Sequence, residues 1–320
     1  MVDQSGILTY QCLRELVRQE HVVCQTPIEP AQYQPASLDV RLGPIAYRIR
    51  SSFVPGQRTV AAVLDDLLMY AIDLRSNGIL EKNQVYLAPL VEALRLPAQL
   101  TARSNPKSTI GRLDIFSRLI TDHSFRFDEV QAGYHGPLYL EIVPRSFTVR
   151  VKPGLALNQL RFLQGECNLA DHALRGLYQR EPLLYNAAQQ PLPLEQVGIQ
   201  DGLVMSVDLQ GAENHGIIGY KAKKNSAVID LAQSGYYEVA DFWDPLARHK
   251  GDQLILEPEE FHLLCSREKV RIPPDFSAEW WRMIPARGIS GTLRRVFRSG
   301  VWLRRWGDSG DVCRVGSAFP

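Results

Sequence analysis

The stretch "GILEKNQVYLAPLVEALRLPAQLTAR" (78–103) returns later in the chain as "LILEPEEFHLLCSREKVRIPPDFSAE" (254–279), without a gap and at a constant offset of 176 residues. "LDVRLG" (38–43) has a looser echo in "SVDLQG" (206–211). A period this long indicates a duplicated domain rather than a solenoid. Eight aligned positions are identical: Ile79/Ile255, Leu80/Leu256, Glu81/Glu257, Leu87/Leu263, Glu92/Glu268, Arg95/Arg271, Pro97/Pro273 and Ala102/Ala278.

The rest of the chain is made of short β-like runs, with two helical exceptions. Apolar spacing predicts one helix over 8–17 and a second over 60–71. Gly and Pro separate the β-like runs, which favours an antiparallel barrel or sandwich over βαβ units. Those runs are "SLDVRLG" (37–43), "QVYLAPL" (84–90), "LYLEIV" (138–143) and "FTVRVKPG" (147–154). We predict one domain over 1–168, a second over 169–286, and an atypical tail over 287–320.

The composition is that of a folded protein and argues against several kinds of partner. Thirty-six Lys and Arg against thirty-five Asp and Glu predict no general affinity for a nucleic acid polymer or an anionic membrane. No apolar run reaches the ~18 residues of a membrane span, and "MVDQSGILTYQCL" (1–13) lacks the features of a signal peptide. Five scattered cysteines without a C-x-x-C spacing argue against a disulfide framework and a structural zinc site. We therefore expect a cytoplasmic protein.

One short turn, "SNPKSTIGR" (104–112), concentrates cations and hydroxyls. Such a turn, entering a short helix, offers N–H and side-chain donors to a phosphate chain. Lys107 adds a point charge, and Arg112 adds a planar fork that suits a phosphate or a polarised carbonyl. The second copy has "WWRMIPARG" (280–288) at this place, so the sequence points to a site in the first copy. Solvated turn residues are the alternative, because the pattern is not a Walker A loop.

A single carboxylate interrupts the apolar strand in "AGYHGPLYLEIVPRSF" (132–147). Under strict alternation Tyr139, Glu141 and Val143 share one face. A buried Glu141 needs a raised pKa or a basic partner such as Arg112, and a raised pKa would suit a proton shuttle. The alternative is an edge-strand glutamate that faces water. His123 and His135 have no partner at metal-ligand spacing.

Four stretches in order, "SLDVRLG", "PKSTIGRL", "GPLYLEI" and "NQLRFLQG", resemble the motifs of the dCTP deaminase family, whose barrel is shared with the trimeric dUTPases. The resemblance covers residues 5–165, and the length of the chain is similar to that of the family's long, two-domain branch. It implies a mainly β fold: two tandem dUTPase-like β-barrels (distorted jelly rolls) with a few short helices, the second barrel incomplete.

The resemblance also implies roles for individual residues. Glu141 matches the general base, and the main chain of 121–123 matches the stretch that helps to hold the attacking water. The loop that holds the triphosphate and polarises the cytosine matches Lys107, Ser108, Thr109 and Arg112, with Thr109 in place of a second serine. Positions that match nucleotide-binding residues are Asp128 on the sugar side, Tyr139 and Leu140 through their backbone, and Gln159.

The activity implied is hydrolytic deamination of dCTP to dUTP and ammonia by a homo-oligomer. No zinc is expected, because the chain lacks the H-x-E and P-C-x-x-C motifs of zinc deaminases. Mg²⁺ would accompany the substrate triphosphate. One alternative is a dUTP diphosphatase, but Gly133 stands where the second Asp of its I-D-x-D-Y-x-G turn would be. The other is a catalytically silent nucleotide-binding or regulatory module.

Residues 287–320 are rich in Arg, Gly and Trp and show no clean strand alternation. We hypothesise that this tail is translated out of frame, because permitted codons read one base later can spell segments similar to the second barrel of the long branch. Read in this way, "CRVGSAF" (313–319) becomes a counterpart of "LYLEIVP" (138–144). We then expect a disordered or poorly packed tail after residue 286 and reduced or absent deaminase activity. The nucleotide sequence of the gene tests this hypothesis.

Overall fold

The computed structural model describes residues 5–76, 78–211, 214–251 and 253–281, and the backbone of 311–317. The chain divides into two compact units. Unit 1 holds the described residues up to Cys167 together with Asn225–Tyr237. Unit 2 holds Asn168–Lys224 and the described residues from Glu238 to Ser317.

Unit 1 is mainly β, as predicted. Its short helices are α1 (Tyr10–Arg18), α2 (Val60–Leu67) and α3 (Ser108–Arg112), with a 3₁₀ turn at Pro30–Gln32. Its strands up to Cys167 are β1 (Gly6–Ile7), β2 (Val22–Val23), β3 (Tyr33–Gln34), β4 (Ser37–Arg41), β5 (Ile45–Ile49), β6 (Leu68–Asp73), β7 (Ile79–Leu80), β8 (Val85–Arg95), β9 (Leu100–Pro106), β10 (Ile115–Thr121), β11 (Glu129–Val130), β12 (His135–Pro144), β13 (Val149–Arg150) and β14 (Ala156–Gln164).

Two antiparallel sheets carry the architecture of unit 1. The first has the order β11-β9-β14-β4-β3 with β1 beside β14, and the second has the order β10-β12-β8-β5-β6 with β2 beside β8. The core contains buried side chains from both sheets and from α1, among them Leu38, Phe162, Leu94, Leu138, Leu13 and Leu16. A buried polar bridge also links the sheets, since Ser117 Oγ donates to Asn158 Oδ1 (2.5 Å) and Asn158 Nδ2 donates to Ser104 Oγ (2.9 Å).

Unit 2 has the same kinds of element. Its helices are α4 (Asp171–Arg180) and α5 (Val239–Phe242), with a 3₁₀ turn at Leu194–Gln196. The remaining strands of the chain are β15 (Leu184–Tyr185), β16 (Leu203–Met205), β17 (Ile217–Ala222), β18 (Ile229–Asp230), β19 (Trp243–Ala247), β20 (His262–Leu264), β21 (Lys269–Val270), β22 (Phe276–Trp281) and β23 (Asp311–Ser317). Of these, β18 belongs to unit 1, where it pairs with β13. No helix in the described part of the chain is long and apolar enough to cross a membrane.

The repeat seen in the sequence coincides with matching local structure in the two units. In each unit a helix leads into a short strand, α1 into β2 and α4 into β15. Val22 of β2 pairs with Leu94, and Leu184 of β15 pairs with Val270, which lies 176 residues after Leu94. Three main-chain hydrogen bonds recur with their donors 176 residues apart: Gln84 to Glu81 and Glu260 to Glu257, Leu100 to Pro97 and Phe276 to Pro273, and Arg95 to His21 and Arg271 to Leu183. In the last pair the acceptors are not at this offset, but each directly precedes the short strand of its unit, β2 or β15.

The looser sequence match of 38–43 with 206–211 differs by three residues from the match that the structure shows. Glu92 Oε2 accepts the main-chain N–H of Arg41 (2.7 Å), and Glu268 Oε2 accepts that of Ser206 (2.8 Å). Arg41 therefore corresponds to Ser206, and β4 corresponds to β16 rather than to 206–211. The hydrogen bond to the repeated glutamate, not the resemblance of the letters, identifies the matching strand.

The second predicted helix is wrong beyond Leu67. There the chain turns into β6, which pairs with β5 in the register Tyr47 to Ala71. Strand pairing satisfies the main chain, and it leaves Leu68, Met69 and Tyr70 exposed. Tertiary pairing thus overrides a helical spacing of apolar residues that is too short to decide by itself.

The tail differs in part from what the sequence predicts. Residues 311–317 form β23, which lies between β16 and β22 in the place that β14 takes between β4 and β9. The expectation of a disordered tail is therefore wrong for the backbone of this segment. The out-of-frame reading of 313–319 stays a hypothesis about the gene. The rest of the tail, 287–310 and 318–320, lies outside the described residues.

Candidate active site

Glu141 lies at the centre of the second sheet of unit 1. Strand β12 runs between β10 and β8, and Glu141 pairs across with Arg118 on one side and Leu87 on the other. Its side chain is 0% exposed, so the alternative of an edge-strand glutamate facing water is wrong. Tyr139 and Val143 share its face, as strict alternation predicts.

The basic partner of Glu141 is Arg118, one strand away, and not Arg112. Arg118 Nε donates to Glu141 Oε1 at 3.0 Å, and Arg118 Nη2 donates to the same oxygen. The other oxygen, Oε2, is buried and has no hydrogen-bond partner among the described residues. The site therefore contains a buried carboxylate with one oxygen held by Arg118 and the other without a hydrogen-bond partner among the described residues.

Apolar side chains and α2 enclose the region beside Glu141. Leu87 and Ile120 from the sheet pack with Val60 and Leu64 of α2, and Tyr139 packs against this cluster. Asp122 Oδ1 accepts the N–H of Val60 at 2.7 Å and so fastens the start of α2 to the end of β10. Burial, with a contribution from Asp122, raises the pKa of Tyr139, so its phenol stays neutral near pH 7.

The backbone ladder is loosened next to Glu141. Pro89 lies opposite Tyr139 and has no N–H to donate, and the register shifts between Pro137 and Tyr139. Tyr139 and Leu140 are the residues whose backbone is predicted to face the base. The irregularity falls at that point of the strand.

The cationic turn lies between β9 of the first sheet and β10 of the second. Lys107 precedes α3, and its main-chain N–H is fixed by Leu157 O at 2.8 Å. Ser108 and Thr109 form the first turn of this five-residue helix, and Arg112 ends it. The turn is therefore ordered from both sides, by β14 and by the strand that begins at 115.

A buried polar row lies beneath this turn. Asp39, Gln159 and Asn105 are direct cross-strand neighbours on β4, β14 and β9, so they share one face. Lys107 Nζ forms an ion pair with Asp39 Oδ2, and Ser37 Oγ donates to Gln159 Oε1 (2.7 Å). Sequence reasoning proposed both Lys107 and Gln159, and the structure brings them to this row.

The turn and the carboxylate are not joined by a hydrogen bond or ion pair of Glu141 within the described chain. The strands that carry Arg118 and Gln159 are linked by a hydrogen bond between the preceding residues, from Ser117 of β10 to Asn158 of β14. One chain thus supplies two groups of candidate residues, one around Glu141 and one around the cationic turn.

The remaining candidates have structural roles in the described chain. Asp128 is buried, and its Oδ1 accepts the N–H of Leu119 at 2.9 Å, which closes the turn after β10. His123 is exposed, and its Nδ1 lies 2.8 Å from Gln57 O. No group of three or more His, Cys, Asp or Glu side chains among the described residues is arranged to hold a metal ion.

Two domain-family models together match most of the chain. The model of the 2'-deoxycytidine 5'-triphosphate deaminase (DCD) N-terminal domain matches residues 4–166, and that of the DCD C-terminal domain matches 170–307. The chain belongs to the dCTP deaminase family.

Individual relatives in the dCTP deaminase family carry related names. A "dCTP deaminase, dUMP-forming" of Sulfurihydrogenibium sp. (strain YO3AOP1) is 30% identical over 160 residues, which are 48% of this chain and 81% of that protein. One of the same name from Persephonella marina is 29% identical over 180 residues, 54% of this chain and 91% of that protein. The crystal structure of 2'-deoxycytidine 5'-triphosphate deaminase from Agrobacterium tumefaciens is 35% identical, with a TM-score of 0.88 over 99% of this chain and 96% of that one.

Sequence reasoning within the dCTP deaminase family missed Arg118. A signal was present, because Arg118 is a lone cation in the apolar run "IFSRLI" (115–120), just as Glu141 is a lone anion in "LYLEIV" (138–143). Two lone opposite charges in neighbouring apolar strands favour pairing, since an unpaired buried charge is costly.

Proposed function

We propose that this chain hydrolytically deaminates dCTP. The observation that carries the proposal is Glu141: a fully buried carboxylate on a central strand, with Oε1 held by Arg118 and Oε2 unpartnered among the described residues. A dCTP deaminase family member needs such a group at a position where water can be deprotonated beside a cytosine.

The proposed reaction consumes one water and releases one ammonia. Glu141 Oε2 takes a proton from water, and the oxygen attacks C4 of cytosine to give a tetrahedral intermediate. Glu141 passes this proton to N3. It then carries the proton of the new C4 hydroxyl to the amino group, the C4–N bond breaks, ammonia leaves, and the C4 carbonyl of uracil forms. The product is a uracil nucleotide, and Glu141 returns to its ionised form. No oxidant or reductant is required.

The other candidates are assigned to binding and charge stabilisation. Arg112 and Ser108 would stabilise the intermediate electrostatically, and Lys107 with Thr109 would hold the triphosphate, which carries its own Mg²⁺. The base and sugar would be recognised by the backbone of Tyr139 and Leu140, by Gln159 and by Asp128. Zinc has no part in this proposal.

Two forms of the proposed activity differ in their product, which is either dUTP or dUMP. Two relatives are named as dUMP-forming, whereas deamination alone gives dUTP. We propose dUTP as the product of the Glu141 chemistry, with dUMP formed as well if the chain also releases pyrophosphate. Incubation with dCTP and with dUTP separately, with ammonia and pyrophosphate measured, decides this. Pyrophosphate from dUTP without ammonia from dCTP would instead indicate a dUTP diphosphatase.

The proposed function includes an oligomeric state, a cellular location and an effect of the tail (287–320) on the rate. We propose a homo-oligomer, because Glu141 makes no hydrogen bond or ion pair with the cationic turn in the described chain. We also propose that the protein is cytoplasmic. We also propose that the atypical tail lowers the rate, so activity is best measured with enzyme in excess over dCTP. Tight dCTP binding without ammonia release would support a silent binding module.

Replacing Lys107 by alanine should mainly weaken substrate binding. A hydrogen bond to a charged group is worth about 1.5–3 kcal/mol, so the KM for dCTP should rise about 10- to 100-fold while kcat changes little. Steady-state kinetics measures both constants, and Lys152→Ala, at an exposed lysine of unit 1, is the matched control. An unchanged KM in a folded variant would remove Lys107 from the triphosphate site. Thermal unfolding should show some destabilisation, because buried Asp39 loses its ion pair with Lys107.

A further inference from the structure

Arg118 is the cation that lies directly on the candidate general base. It stands opposite Glu141 in the β10–β12 register, and both its Nε and its Nη2 donate to Glu141 Oε1. Its side chain is 20% exposed, so the pair is largely shielded from water. Neither the predicted triphosphate loop nor the predicted base-reading strand includes this residue.

The guanidinium of Arg118 is restrained on several sides. Its central carbon lies 3.7 Å from the ring centroid of Phe127 and 4.5 Å from that of Phe116. Its Nη2 also donates to Ser52 Oγ at 2.8 Å. Two aromatic rings and two hydrogen-bond acceptors fix the plane of the fork, which a flexible lysine ammonium cannot reproduce.

A second buried Arg–Glu pair in unit 1 shows what a purely structural pair looks like. Glu92 is also 0% exposed, and both of its oxygens are used. Oε1 accepts from Arg41 Nε (2.7 Å) and Gln32 Nε2 (3.0 Å), and Oε2 accepts from the Arg41 main chain (2.7 Å). The Arg118–Glu141 pair differs, because both donors of Arg118 are directed to Oε1, and buried Oε2 has no hydrogen-bond partner among the described residues.

We propose that Arg118 is a positioning residue that orients the Glu141 carboxylate, so that Oε2 is the atom that takes the proton from water. This inference rests on the proposed deamination. Arg118 touches no substrate in this account and acts through Glu141 alone. Its removal should therefore affect the rate of the chemical step rather than the binding of dCTP.

The test compares Arg118→Lys with Arg41→Lys, the same substitution in the structural pair. For folded Arg118→Lys, kcat should fall about 10- to 100-fold, since a misplacement of about 1 Å can cost about 10²-fold. Its KM for dCTP should stay within about twofold of the native value, because uniform binding is untouched. Arg41→Lys should lower the melting temperature but leave kcat near the native value. Phe127→Leu, which removes the ring over the guanidinium, should lower kcat several-fold with Arg118 in place.

Each outcome has a fixed meaning when Glu141→Gln is measured in parallel. If Glu141→Gln is inactive but Arg118→Lys keeps a native kcat, the positioning role is overturned and the proposed function stands. If Arg118→Lys fails to fold, an unchanged kcat in Phe127→Leu overturns it. Equal losses of kcat in Arg118→Lys and Arg41→Lys would also overturn it, since the effect would then be one of general packing. A native chain that releases no more ammonia than Glu141→Gln overturns both the function and the positioning role.

Discussion

Replacing Glu141 by glutamine is expected to abolish ammonia release from dCTP while the protein stays folded. The amide keeps the shape of the side chain and can still accept a hydrogen bond from Arg118, but it cannot carry a proton from water to the nucleotide. Loss of general acid–base catalysis is worth about 10²–10⁴ in rate, and a sole proton carrier can exceed that range. Ammonia release under single-turnover conditions measures the effect.

The matched control for this substitution is Glu92→Gln. Glu92 is equally buried and also paired with an arginine, but it takes no part in the proposed chemistry. Its replacement should lower the melting temperature and leave kcat within about twofold of native, as expected where uniform binding and chemistry are intact. A folded Glu141→Gln variant that keeps more than about a tenth of the native rate would contradict the assignment of Glu141 as proton carrier.

Replacing Arg112 by alanine is expected to be about as damaging as the change at Glu141. Arg112 ends α3, and its guanidinium is assigned to the charge that develops on the tetrahedral intermediate. Removal of one such preorganised donor costs about 10²–10³ in kcat. Steady-state and single-turnover rates with dCTP measure the loss. A variant with a native kcat would remove Arg112 from the site and leave Arg118 as the cation nearest to the chemistry.

The two inactive variants can also be combined, because Glu141 makes no hydrogen bond or ion pair to Arg112 in the described chain. If a complete site takes Glu141 from one chain and Arg112 from another, mixed oligomers of Glu141→Gln and Arg112→Ala chains contain some sites with both native residues. Co-expression should then restore part of the activity. Mixed oligomers that stay inactive would show that each site is built from one chain.

Much of the fold follows from pattern alone. Alternation placed Glu141 and Tyr139 on one face, and the repeat at an offset of 176 predicted matching turns such as those at Pro97 and Pro273. These features are local or periodic, so a single sequence contains them. The helix predicted over 60–71 ended early because the pairing of β6 with β5 is a tertiary effect that apolar spacing does not encode.

The sequence singled out candidate site residues, but it did not identify their partners. Lys107 and Glu141 stood out as charges in unusual places, whereas their partners Asp39 and Arg118 lie 68 and 23 residues away along the chain. Which charges meet depends on strand order and register, and a one-residue slip would turn Arg118 to the other face. The sequence therefore predicted a buried carboxylate that needs a cation, and it suggested the wrong cation.

Ammonia release from dCTP, measured with the full chain in excess over substrate, tests the central claim most directly. The native chain should convert dCTP to a uracil nucleotide with one ammonia per nucleotide, at a rate lowered by its tail but at least about 10²-fold above that of Glu141→Gln. Binding of dCTP with no ammonia above the Glu141→Gln level would contradict the claim and identify the chain as a nucleotide-binding module.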